Sequence, residues 1–128
     1  MQGPPGATVN TKNRKGYERW KQTVEKAARG QWPFERGLLT VEQVTVLVTN
    51  YYRVARDRPY PPDVDNVLKP ILDGMEGVVY KNDNQIFRVV SDRFNLVAPV
   101  ASPSPVLAEG LARFAELFYL RVFWDEEQ

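Results

Sequence analysis

Cysteine and histidine are both absent from the 128 residues. Their absence excludes a Ser-His-Asp triad, a cysteine nucleophile, a disulfide framework and a zinc centre of the usual Cys/His kind. Any metal must therefore be held by oxygen, which favours Mg²⁺, Mn²⁺ or Ca²⁺. No apolar run approaches the ~20 residues of a membrane-spanning helix, and the N-terminus has no signal-peptide pattern. The expectation is a chain that stays out of the membrane, with the cytoplasm as its default compartment. Net charge is also scarce, at +1. That figure hides a split: residues 1–60 carry 11 Lys+Arg against 5 Asp+Glu, and residues 61–128 carry 6 against 11. Such a chain suits a polyanion met by one half and carboxylates offered by the other, unless folding interleaves the halves and cancels the field.

Hydrophobic residues make up 43% and aromatics 12%, enough for one buried core, so residues 1–128 are expected to form a single domain. Residues 1–11, with Gly3, Pro4, Pro5 and Gly6, read as a loop. Tyr17, Trp20, Val24, Ala27 and Ala28 recur at helical spacing, and Gly30 is a plausible stop. Residues 38–52, rich in Val and Thr, read as a long strand. A basic, Pro-rich loop follows, then a short apolar helix ending around Gly74 to Gly77, with Pro70 tolerated near its first turn. Residues 81–85 form a polar turn, residues 86–97 a second long strand, residues 106–115 a helix and residues 117–124 a last strand. The expected class is α/β of the α+β type, a small mixed sheet with two or three helices.

Four aspartates and a lysine fall within one stretch: Asp63, Asp65, Lys69, Asp73 and Asp83. In extended backbone, Asp63 and Asp65 point to one face and could share a cation. Lys69 follows Asp65 by one helical turn, near a helix N-terminus that attracts phosphate. Asp83, in the turn after the helix, could supply a third oxygen ligand. Three carboxylates and a lysine are the components of metal-assisted phosphoryl transfer. Plainer readings exist for each residue. Asp63 or Asp65 would cap the helix, Lys69 and Asp73 would be an exposed i,i+4 pair, and Asn82-Asp83-Asn84 is a good turn without metal. An EF-hand is excluded, because Leu68 stands where the loop needs Gly and Gly74 where it needs Glu. Lys12, Arg14, Lys15, Arg53, Arg56 and Arg58 could track a phosphate backbone, with Tyr17, Trp20, Tyr51, Tyr52 or Tyr60 stacking nearby. Trp20 fits the core better.

The stretch from Asp63 through Asp65, Asn66, Lys69, Asp73 and Met75, with its sequel Gly77 to Ile86, resembles the RusA family of Holliday junction resolvases. That family's pattern runs Asp-x-Asp-Asn-x-x-Lys, an apolar helix, then an Asp-Asp-x-Gln turn. The resemblance is specific over residues 58–90. It implies a small mixed α/β homodimer that binds four-way DNA junctions and nicks two strands symmetrically with Mg²⁺, Mn²⁺ being a possible substitute. By position, the metal-binding aspartates fall on Asp63, Asp65 and Asp83, and the catalytic lysine on Lys69. Two departures stand out. The paired Asp-Asp is here Asn82-Asp83, and a strand that family members have before the Gly-Pro-Pro segment is not seen.

The leading expectation is thus a Mg²⁺-dependent crossover junction endodeoxyribonuclease serving DNA recombination and repair. Asp63, Asp65 and Asp83 would hold the metal, Lys69 would stabilise developing charge, and the six basic residues would guide the DNA backbone. A catalytically inert branched-DNA-binding module of the same fold is the alternative. A hydrolase of small nucleotides or RNA is the third reading.

Overall fold

The computed structural model describes residues 6–11, 16–32, 37–53, 65–97 and 99–124, with the side chains of residues 65–67 left aside. Four strands form one mixed sheet: β1 (Gly6–Asn10), β2 (Val44–Tyr52), β3 (Ile86–Asn95) and β4 (Leu117–Trp124). Their order across the sheet is β1-β4-β2-β3. β4 is antiparallel to both β1 and β2, and β2 is parallel to β3. Among the described residues three α-helices join the sheet: α1 (Tyr17–Gln31), α2 (Asp65–Met75) and α3 (Pro105–Arg113). The parallel β2–β3 pair requires a crossover, and α2 lies within it. Among the described residues, no helix is long and apolar enough to cross a membrane.

The main core lies between one sheet face and the two helices α1 and α2. Val44, Val46 and Val48 alternate on β2, and Phe118, Leu120 and Val122 on β4; all six are buried against Trp20, Val24, Ala28, Ile71 and Met75. Each such side chain contributes roughly 1.5–3 kcal/mol through burial. Trp20 meets Phe118 at 5.5 Å between ring centroids. A smaller cluster on the opposite face joins Tyr51, Leu117 and Tyr119 to Leu107 of α3. Ser104 starts α3 by accepting the Leu107 N–H at 3.3 Å, with Pro105 at the first helical position.

Three sequence expectations need correction. The segment read as a loop over residues 1–11 contains β1, whose Ala7, Thr8 and Val9 are all buried. Five residues beside a Gly-Pro run are too few for a strand period to declare itself, and pairing to β4 decides the matter. The strand expected over residues 38–52 begins only at Val44; before it, Leu39 makes an isolated bridge to Tyr80. Helix α1 passes Gly30 and ends one residue later at Gln31, whereas α2 ends at Met75, between Gly74 and Gly77 as expected. Gly74 has a packing reason: a Cβ there would sit 2.7 Å from the Lys21 carbonyl oxygen and 3.0 Å from Val24. The missing side chain lets α1 and α2 approach closely. Pro70 is the sixth residue of α2, so the lost hydrogen bond falls in the second turn.

Candidate active site

Helix α2 and the turn that follows it carry the candidate chemistry. Lys69 projects from α2 with its side chain 77% exposed, and its Nζ lies 3.4 Å from Asp73 Oδ2 one helical turn on. The i,i+4 pair anticipated from spacing is therefore present. Exposure on the lysine side makes it worth only a few tenths of a kcal/mol. It has a second member that spacing did not reveal. The Tyr17 hydroxyl, at the start of α1, donates to the same Asp73 oxygen. That bond, with smaller help from desolvation and neighbouring carboxylates, raises the Tyr17 pKa from 10.0 to about 12. Asp73 thus ties the lysine helix to α1 and gives the Lys69 ammonium a weak resting contact.

Asp83 opens a single 3₁₀ turn, Asp83–Gln85, immediately before β3. Its backbone N–H donates to Glu76 Oε1 at 2.9 Å, just beyond the end of α2. Asn82 and Gln85 form a capping box: the Asn82 side-chain Oδ1 accepts the Asn84 N–H at 3.1 Å, and Gln85 Oε1 accepts the Asn82 N–H at 2.9 Å. Gln85 is itself buried, and its Nε2 donates to the Leu39 carbonyl at 3.1 Å and to the Glu42 carbonyl at 3.0 Å. Tyr80, fully buried, donates its hydroxyl to the Leu72 carbonyl in the last turn of α2. Burial pushes the Tyr80 phenol well above its ordinary pKa, with Glu76, Asp73 and Asp83 adding to the effect. These bonds fix the Asp83 backbone against the helix that carries Lys69. The Asp83 side chain is exposed, and its carboxylate has no bond or ion pair among the described residues.

The remaining predicted site residues divide cleanly. Asp65 is the first residue of α2, and its carboxylate lies outside the described side chains; Asp63 lies outside the described residues. Among the described residues, no group of three acidic side chains is close enough to hold a metal ion. Of the three-carboxylate set of Asp63, Asp65 and Asp83, only the Asp83 side chain lies among the described residues. Lys12, Arg14, Lys15, Arg56 and Arg58 also lie outside the described residues. Arg53 is placed: it follows β2, and its Nε donates to the Ala115 carbonyl at 3.2 Å. Because β2 and β3 are parallel, Arg53 stands at the opposite sheet end from the Asp83 turn. Of the stacking candidates, Trp20 and Tyr51 are buried in the two cores, and Tyr17 is held by Asp73.

The sequence pattern pairs Asp73 with Lys69, but it does not reveal the bond from Tyr17 to Asp73 or the supporting roles of Glu76, Tyr80 and Gln85. Only Gln85 left a signal, as the last residue of the turn pattern; the others depend on contacts between separate elements. Asn50 is a further unforeseen polar residue, 1% exposed on the helix face of β2, and its Oδ1 has no hydrogen-bond partner among the described residues.

One comparison decides the family. The model of the RusA endodeoxyribonuclease family matches residues 5–100, three quarters of the chain, from just before β1 to beyond β3. The chain belongs to the RusA family. No curated protein and no solved structure gives a significant match. Family membership makes the chain one of the endodeoxyribonucleases associated with Holliday junction resolution. It also gives meaning to the turn. In this RusA-family chain, the position before Asp83 acts as a cap through a side-chain oxygen, which Asn82 supplies as well as an aspartate would. The matched span excludes α3 and β4, although β4 lies between β1 and β2 in the sheet.

Proposed function

We propose that the protein resolves four-way DNA junctions by Mg²⁺-dependent, symmetric paired nicks, acting as a homodimer. The observation that carries this reading is the Asp83 carboxylate, exposed and without a bond or ion pair among the described residues, on a turn braced to the Lys69 helix inside the span that matches the RusA family. An uncommitted hard oxygen donor in a chain without imidazole or thiolate fits Mg²⁺ or Mn²⁺. Asp63, Asp65 and Asp83 would hold the ion. Bound there, it supplies Lewis-acid stabilisation of the phosphate and lowers the pKa of water.

The chain's own residues do the rest. Lys69, beside Asp73, offers a positive charge to the scissile phosphate or its leaving oxygen, where negative charge develops. Tyr17 keeps Asp73 in place. Gln85, Asn82 and Tyr80 hold the Asp83 turn rigid, which lowers the cost of ordering it on the ion. Lys12, Arg14, Lys15, Arg53, Arg56 and Arg58 guide the DNA backbone, with little sequence reading. Two symmetric cuts need two such sites, and a twofold dimer matches the symmetry of a four-way junction.

A labelled synthetic four-way junction, incubated with the protein in Mg²⁺ or in EDTA beside a linear duplex, tests the reading. The expected outcome is paired nicks that require Mg²⁺ and spare the duplex. A gel shift without nicking in any divalent metal would instead identify an inert binding module. Asp65→Asn should abolish cutting while preserving junction binding. Lys69→Ala should slow cutting by a factor on the order of 10² or more, without rescue by added Mg²⁺.

A further inference from the structure

We propose that β3 is the joint between two copies of this chain, paired antiparallel about a twofold axis through Val90. This names a surface for the dimer of the proposed function and rests on that reading for its purpose.

β3 is an edge strand of ten residues, and among the described residues it pairs with β2 alone. Edge strands are normally blunted by shortness, by proline or charged side chains, by a bulge, or by a covering element. In β3 the register shift is confined to its first residues, and Arg88 and Asp92 are charges of opposite sign on one face. β3 has no proline and no lysine, and it exposes Phe87 by 66% and Val89 by 37%. The other edge of the sheet is treated differently. There the Gln31 side chain bonds the Thr8 N–H at 2.9 Å and the Thr8 carbonyl at 2.8 Å, occupying the place of a next strand.

The sequence of β3 is complementary to itself in a single register. With Val90 on the axis, Arg88 faces Asp92 of the partner subunit and Asp92 faces Arg88 of the partner subunit. Arg88 and Asp92 share the α3 face of the strand, and neither has an ion pair within its own chain among the described residues. On the helix face, Val89 lies opposite Ser91 of the partner subunit; Phe87 is the extra residue at the register shift between Ile86 and Arg88 and takes no part in this alternation. Moving the axis to Val89 or Ser91 loses both charge pairs. A twofold axis normal to the sheet leaves α1 and α2 of both protomers on one side. The two Ile86 ends would stand eight strand residues apart, about 26 Å, so both Asp83 turns could meet one DNA molecule.

The absence of cysteine makes the test clean. In Val90→Cys the two thiols would lie directly opposite, at a Cα separation of about 4.5–5.5 Å that a disulfide spans. Mild oxidation of the full chain, without DNA or metal, should give rapid covalent dimer from Val90→Cys and none from Val41→Cys, an exposed position away from the joint. Sedimentation velocity should show a wild-type dimer. Arg88→Asp or Asp92→Arg should each weaken it on the order of tenfold or more, and the double exchange should restore it. A wild-type monomer at high micromolar concentration, equal crosslinking at both cysteines, or charge reversals without effect would each overturn the joint. A crosslinked dimer that cuts no junction would sink the proposed function and leave the joint standing. Junction cutting without Val90→Cys crosslinking would do the reverse.

Discussion

The two edges of the sheet show how differently one chain treats the same problem. β1 is five residues long, mostly buried, flanked by α1 and α3, and capped by the Gln31 amide. β3 is twice as long, and most of its side chains face solvent. An unpaired strand edge is a row of hydrogen-bonding groups that must find water, an internal substitute or another chain. The first edge is satisfied internally, at the cost of dedicating a helix-end glutamine to it. The second retains its pairing capacity among the described residues, and in the proposed joint its charge pattern would match its own copy. The difference also separates stability from assembly. Changes at β1 should act on folding, and changes at β3 on association.

The largest effect that would break this contrast is expected at α3. A Cβ at Gly110 would sit 2.7 Å from Thr8. Gly110→Val should therefore drive α3 from β1 and lower stability by about 1–3 kcal/mol, read by urea unfolding. Gln31→Leu comes next. It leaves the Thr8 N–H and carbonyl without their partner, at a cost of about 1–3 kcal/mol. By opening the closed edge, it should also promote association beyond the dimer, visible as concentration-dependent light scattering. Phe87→Ser at the open edge should shift unfolding by no more than about 0.5 kcal/mol. An equal loss of stability from Gln31→Leu and Phe87→Ser would erase the distinction.

The smallest effect concerns Tyr17, away from both edges. Its folded pKa, about 12, lies above the unfolded value of 10.0. The neutral phenol is the form favoured by folding. The contribution of its bond to Asp73 is thus complete below pH 10 and is lost as pH rises through about 12. Spectrophotometric phenol titration should show one tyrosine shifted upward in this way, and Tyr17→Phe should remove it. Tyr80 should also titrate late, for the separate reason of burial.

Much of the candidate site was legible because its chemistry is local in the chain. The pairing of Lys69 with Asp73 follows from the helical repeat, and the Asp83 turn from a run of Asn, Asp and Asn. Asp63, Asp65 and Lys69 could be singled out by residue type and spacing alone. The supporting residues could not. Tyr17 stands 56 residues from Asp73, and Gln85 reaches back 46 residues to Leu39. No period or pattern links groups so far apart.

The sequence by itself determined the oxygen-only ligand chemistry, the main helices and strands, and the family motif. Composition, the 3.6- and 2-residue periods and close spacing are all written along the chain. Tertiary structure alone decided that five residues beside a Gly-Pro run become a strand, that Gln31 closes one sheet edge, and that β3 remains open. Strand order is a matter of which backbone groups find partners across the sheet. In this chain β4, the last strand in sequence, enters between β1 and β2 and thereby sends β3 to the rim.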